Sequence, residues 1–268
     1  MTTENTPATQ TEKPVERLKA TLALPSVEQQ FKNAMADAAP LFVASLIDLY
    51  GGDSNLQKCA PNLVIMEALK AATLRLPINK GLGFAYIVAY KNKDGIFIPS
   101  FQIGYRGLIQ LAMRTGQYAC INADVVYEGE LKSTEKLTGY IDLSGEKASD
   151  KIVGYFAHFE LLNGFRKTVY ITLEDITKHA KKFSKSFGNS SSPWKTDFDA
   201  MATKTPLRKL LGKYGILSVE MQKAFTFDHS DSDDLPLLPG PNEGTLIDMD
   251  VSDAGGEGAG SETKGPDF

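Results

Sequence analysis

Apolar positions first become regular at residues 40–52, PLFVASLIDLYGG, and again at residues 61–76, PNLVIMEALKAATLRL. Each stretch opens on a proline, which a first helical turn tolerates because that amide has no intrahelical partner, and the spacing after it predicts a helix. Gly51 and Gly52 can stop the first of them. Residues 84–103, FAYIVAYKNKDGIFIPSFQI, alternate around Lys93-Asp94-Gly95 and predict a hairpin. A helix bounded by Gly104 and Gly116 follows, and then YACINADVVYEGE alternates as a strand. Residues 151–172, KIVGYFAHFELLNGFRKTVYIT, read as two strands joined by Asn163-Gly164. That pair suits a type I′ turn, which needs positive φ at both central residues. In TLED, Thr172 can cap the next helix with Asp175 at its third position. FGNSSSPW makes a loop, and a last helix runs through TDFDAMATKTPLRKLLGKYG. Pro206 inside it removes an amide and crowds the Ala202 carbonyl, predicting a kink or break near Thr205.

The order helices, strands, helix, strands, helices predicts an α+β fold around a mostly antiparallel sheet. Residues 1–25 are rich in Thr, Glu and Pro and are expected to be disordered. Residues 26–225 form the folded core, and residues 226–268, an acidic stretch without usable periodicity, form a disordered tail. No internal repeat is present.

Charge changes this picture more than composition does. The chain is 42% hydrophobic and 23% charged, in the range of soluble globular proteins. Its net charge of −4 conceals two opposed parts. From Thr226 onward there are 11 acidic residues and one lysine, a net of −10, which leaves 22 acidic and 28 basic residues before it, a net of +6. A mildly basic core permits a polyanionic partner. The polar start shows no apolar signal region, no window approaches the roughly 18 apolar residues of a membrane span, and Cys59 and Cys120 are expected to be buried, reduced thiols. A cytoplasmic protein without a membrane partner is expected.

The basic residues cluster on helices. Lys178, Lys181, Lys182 and Lys185 recur at i, i+3, i+4 and i+7, gathering four charges onto one stripe. Lys204 and Arg208 sit at i, i+4, as do Lys209 and Lys213, and Lys195 follows Trp194, the one tryptophan of the chain. Arg106, Gln110 and Arg114 share a face of the helix after Gly104, with Tyr105 at its start. Its first-turn amides could also receive a phosphate. Each cluster has a plainer reading: a solvated face, a tryptophan plugging the core, arginines paired with core carboxylates. Three basic helices, each beside an aromatic residue, suit single-stranded nucleic acid without sequence preference, because cations follow phosphates and flat rings accept any base.

Catalytic signatures are sparse. No P-loop motif occurs, KGLGFAY lacks the third glycine of a dinucleotide fingerprint, and His158, His179 and His229 are far apart. Asp124 with Glu130 and Lys132 is the best enzymatic lead, a faint Mg²⁺-nuclease pattern. No cofactor is expected, and the chain reads as a binding protein rather than an enzyme.

Two blocks, IGYRGLIQLAMRTGQ and SPWKTDFDAMATKTPLRKLLGKY, resemble the RecT family of phage and prophage single-strand annealing proteins, a likeness spanning roughly residues 30–225. The resemblance implies a curved sheet crossed by helices, like that of the Rad-type annealing rings. It implies ATP-independent binding of single-stranded DNA and annealing of complementary strands through a duplex intermediate. Assembly into rings or helical filaments is implied too, with a partner phage exonuclease; a host single-strand binding protein is a further candidate partner. By motif, Tyr105, Arg106 and Arg114 come from the first block, and Trp194, Lys195, Lys204, Arg208 and Lys209 from the second. A passive single-strand coating protein is the alternative that also lacks catalysis. The acidic tail, closing on GPDF, loosely resembles the Phe-ended tip of bacterial single-strand binding proteins; it is expected either to compete with DNA or to keep the protein in solution.

Overall fold

A proline stands in the first turn of four early helices, where its missing amide forfeits no hydrogen bond: α1 (Pro14–Leu22), α2 (Pro25–Met35), α3 (Ala39–Gly51) and α4 (Pro61–Thr73). The computed structural model describes residues 13–184, 187–188 and 192–228. The expectation of disorder through residue 25 is corrected by α1. Its Leu18 and Leu22, four residues apart, are both buried. Their single apolar stripe was diluted in a composition dominated by Thr, Glu and Pro. Residues 25–51 are apolar and long enough by composition to span a bilayer, which the residue pattern did not suggest. A positive φ of 49° at Ala36 divides them, however, and Phe31, Phe42, Leu46 and Tyr50 face the core.

The predicted hairpin is β1 (Ala85–Lys91) with β2 (Phe97–Ile103), antiparallel from Ala85↔Ile103 to Lys91↔Phe97. Asn92 Oδ1 accepts the amides of Asp94 and Ile96, which closes the turn. Glu67 of α4 accepts the Phe101 amide at 2.7 Å, tying the hairpin to the helices. Next come α5 (Tyr105–Arg114) and β3 (Tyr118–Tyr127), then two short strands without a sequence signal, β4 (Ser133–Glu135) and β5 (Tyr140–Asp142). β6 (Ile152–Leu161) and β7 (Arg166–Thr172) complete an antiparallel sheet of order β3-β6-β7.

The Asn163-Gly164 turn is not type I′. Gly164 has φ +83°, whereas Asn163 is not left-handed. Its amide bonds the Leu161 carbonyl, and Leu161 pairs with Phe165 across a three-residue loop ending in the glycine. α6 (Leu173–Phe183) begins as predicted, with the Asp175 amide donating to Thr172 Oγ1 at 3.1 Å. α7 (Pro193–Thr196), α8 (Phe198–Tyr214) and α9 (Val219–Phe227) follow.

No break occurs at Pro206. α8 runs through it, with residues Ala202 to Arg208 all buried against the sheet and α5. Burial of a whole turn outweighs the roughly 3 kcal/mol that an interior proline costs. The fold is therefore α+β. The expectation of one curved sheet gives way, among the described residues, to three small antiparallel sheets: β1-β2, β3-β6-β7 and β4-β5. The main core joins α1–α5, the hairpin, β3, β6, α8 and α9; a smaller cluster joins Tyr155, Ile176, Ala180, Trp194 and Ala202.

Candidate nucleic-acid interface

The turn from β2 into α5 fixes the most open group of predicted residues. Gly104 and Gly107 are there for close packing. A Cβ on Gly104 would run into the Gly83 carbonyl, and one on Gly107 into the Phe84 carbonyl, far inside van der Waals contact. The Gly104 amide donates to Phe84 O at 2.9 Å, so it is not offered to a phosphate. This close approach brings Lys80, Tyr86, Tyr105, Arg106 and Tyr127 around a cleft of about 490 Å³.

Arg106 is exposed, with Nε donating to Tyr105 Oη at 3.2 Å and one terminal nitrogen donating to Leu82 O at 3.4 Å. Its guanidinium lies 5.8 Å from the Tyr105 ring, and a guanidinium has five N–H donors, so capacity for a phosphate remains. Lys80 is paired to Asp53 at 2.8 Å. Asp124, Asp197 and Asp199 also line the cleft, and Asp199 accepts the Tyr155 hydroxyl at 2.5 Å. Burial, and then Asp197, push the Tyr86 phenol up from its ordinary pKa, so it stays a neutral donor.

Arg114, at the other end of α5, does structural work. Though exposed, it donates to Leu74 O at 2.6 Å and to Arg75 O at 2.8 Å, the carbonyls of the two residues just past α4. Desolvation pulls its pKa below the usual arginine value. Arg75 beside it has φ +50°.

On α6, Lys178 is exposed and paired to Glu174 at 2.7 Å, with Asp175 at 3.7 Å. Lys181 and Lys182 are exposed, Lys182 lying 4.6 Å from the Phe183 ring centre. Lys185 lies outside the described residues. The predicted stripe is thus half visible as an open cationic surface.

α8 departs furthest from expectation. Lys204 and Arg208 do share a face, but that face points inward. Lys204 Nζ at 2.9 Å and Arg208 at 2.8 Å both meet Asp228 Oδ2, and all three side chains are buried. Asp228 Oδ1 also accepts the Ile103 amide at 3.4 Å, and Arg208 lies 5.0 Å from the Phe225 ring centre. The carboxylate belongs to the core, just past the boundary expected at residue 225. Trp194 takes the plainer of its two readings, 6% exposed and packed between Phe187 and Phe198. Lys195 and Lys209 are exposed.

The two carboxylates of the nuclease lead have separate backbone partners. Asp124 lines the cleft and accepts the Val125 amide, whereas Glu130 accepts the Tyr127 amide at 2.7 Å in a local turn. Among the described residues no three His, Cys, Asp or Glu side chains are grouped to hold a metal ion. Sequence reasoning missed Lys80, Tyr86 and Tyr127 in the cleft; the alternation in FAYIVAY and NADVVY was its only signal.

The cleft combines tyrosine rings and an accessible arginine, groups that can meet a base and a phosphate, with three aspartates. Comparison with known proteins makes this specific. The RecT family model matches residues 41–235, so the chain belongs to the RecT family of DNA-binding, single-strand annealing recombination proteins. It is 47% identical to the uncharacterized protein YqaK of Bacillus subtilis (strain 168) over 237 residues, 88% of this chain and 80% of that one. It is 31% identical to Protein RecT of Escherichia coli (strain K12) over 205 residues, 74% of this chain and 72% of that one.

Proposed function

We propose that this protein binds single-stranded DNA and anneals complementary strands without ATP, acting as an oligomer in phage-type recombination. The observation that carries the reading is the coincidence of family and cleft. The matched region includes the IGYRG turn, and that turn sets Tyr105 and Arg106 at the mouth of an open aromatic cleft. Annealing forms and breaks no covalent bond. It needs phosphate repulsion cancelled while the base edges stay free, and Arg106, Lys181, Lys182, Lys195 and Lys209 supply exposed charge for that. Repetition of weak contacts over a ring or helical filament raises affinity through effective concentration. Pairing with the second strand then supplies the driving force.

In the same reading a phage exonuclease exposes the strand, and a host single-strand binding protein is a further partner. Lys204, Arg208 and Trp194 are buried and support the fold around the site, whereas Arg114 is exposed while bonding the Leu74 and Arg75 carbonyls.

Incubating two labelled complementary oligonucleotides with the protein and Mg²⁺ but no nucleotide tests the reading. Accelerated duplex formation with both strands intact is expected. Cleavage would turn the reading towards a nuclease, and binding without faster pairing towards a passive coat.

A further inference from the structure

The three-stranded sheet has two unlike faces. Tyr155, Ala157 and Phe159 of β6 are buried on the face where α6 and α8 pack. Their alternates, Phe156, His158 and Glu160, point the other way and stay partly exposed. The register sets Asp124 and Tyr170 on either side of Phe156, and Asn122 and Thr168 on either side of His158. The β4–β5 hairpin stands over this second face and encloses a cleft of about 460 Å³.

The lining of that cleft combines flat rings with cations. Phe156, His158 and Thr168 form the floor, Tyr140 of the hairpin forms a wall, and Arg166 and Lys167 sit at the edge. Lys167 Nζ donates to Thr138 O at 2.6 Å and pins the hairpin in place. His158 Nδ1 lies 2.9 Å from Thr168 Oγ1, and burial keeps the imidazole pKa below its usual value, so it is a neutral neighbour. Tyr140 is 57% exposed although its ring faces a cleft, and Arg166 is exposed too. Tyr170 lays its ring against the backbone of Gly154, extending the flat surface beside Phe156.

We propose that this cleft is a second nucleotide site, taking one segment of a single DNA strand with its base against Tyr140 and Phe156 and its phosphates on Arg166 and Lys167. The inference rests on the single-strand reading above. Charge sets the orientation. Glu160 stands directly across from Arg166, but Arg166 and Lys167 line the cleft and neither Glu160 nor Asp124 does, so phosphates belong at those two cations and a base over the neutral aromatic centre. Continuity supports it as well. Asp124 lines the first cleft and its cross-strand neighbour Phe156 lines the second.

The test uses the full chain and an oligonucleotide carrying 5-iododeoxyuridine, crosslinked by light and mapped by mass spectrometry. Binding titrations of Tyr140→Ala and Arg166→Ala accompany it; both side chains are exposed, so the fold is retained. Crosslinks to Tyr140 or Phe156 are expected. The tyrosine variant should bind about tenfold more weakly, the scale of one lost base–aromatic stack. The arginine variant should flatten the salt dependence by about 0.7, one phosphate contact on a single strand. Crosslinks confined to other segments, with both variants binding like wild type, overturn the second site and leave the proposed function standing. Variants that bind DNA normally but lose self-association overturn it in favour of a second copy in the cleft. A wild-type protein that binds no single strand overturns both readings.

Discussion

Asp228 shows how one side chain decides what its neighbours can do. Two cations four residues apart on α8 would suit a phosphate, but both end on the same buried carboxylate oxygen. Removing one partner of a buried ion pair leaves uncompensated charge inside, so Asp228→Ala should cost about 3–5 kcal/mol in urea denaturation. A chain ending at Phe227 should be destabilised in the same way, and by more than one ending at Asp228. Equal stability for those two truncations would contradict the role given to the carboxylate. The cysteines make a second contrast. Cys59 is buried, and desolvation with Asp53 nearby pushes its thiol up to about 11, whereas Cys120 is exposed, against the expectation that both are buried. A thiol titration of the native protein should therefore show one fast-reacting group, with the second appearing on unfolding. Two fast thiols would mean the helical layer around Cys59 is open.

At the scale of elements, α5 depends on what lies against each of its ends. Its N-terminus touches the 79–84 loop through Gly104 and Gly107, so Gly104→Ala must push that loop away and should weaken single-strand binding together with stability. Its C-terminus holds α4 through Arg114. Losing two hydrogen bonds from a charged donor, Arg114→Ala should lower stability by about 2–3 kcal/mol in the same denaturation experiment. Much at this scale was legible in the sequence. The proline-led helices, the Lys-Asp-Gly hairpin, the Thr172 cap and the β6–β7 pair all follow from local rules that the structure obeys. Other features depend on partners distant in the chain. The spacing of Lys204 and Arg208 is the same whether their face meets solvent or Asp228, 20 residues beyond Arg208. Pro206 stays helical because the sheet packs on α8, which no local rule contains. The three-residue strands β4 and β5 are too short and too exposed to alternate visibly. The candidate site was legible as a motif at Tyr105–Arg106; Tyr86 and Tyr127, which line the same cleft, were not.

For the whole molecule, the proposed function rests on separating structural charge from available charge. Lys204 and Arg208 are buried in the core, while Arg106, Arg114, Lys181, Lys182, Lys195 and Lys209 are at the surface, and in the proposed reading the surface set meets the polyanion. A binding mode built on exposed cations must weaken as salt rises, because each phosphate contact releases a counterion. The most direct measurement is the salt dependence of single-strand binding by wild type and Arg106→Ala, titrated side by side. A slope shallower by about 0.7 in the variant, with its fold intact, is the predicted result. An identical slope in a fully folded variant would contradict the account, because it would remove the arginine at the mouth of the cleft from the path of the strand.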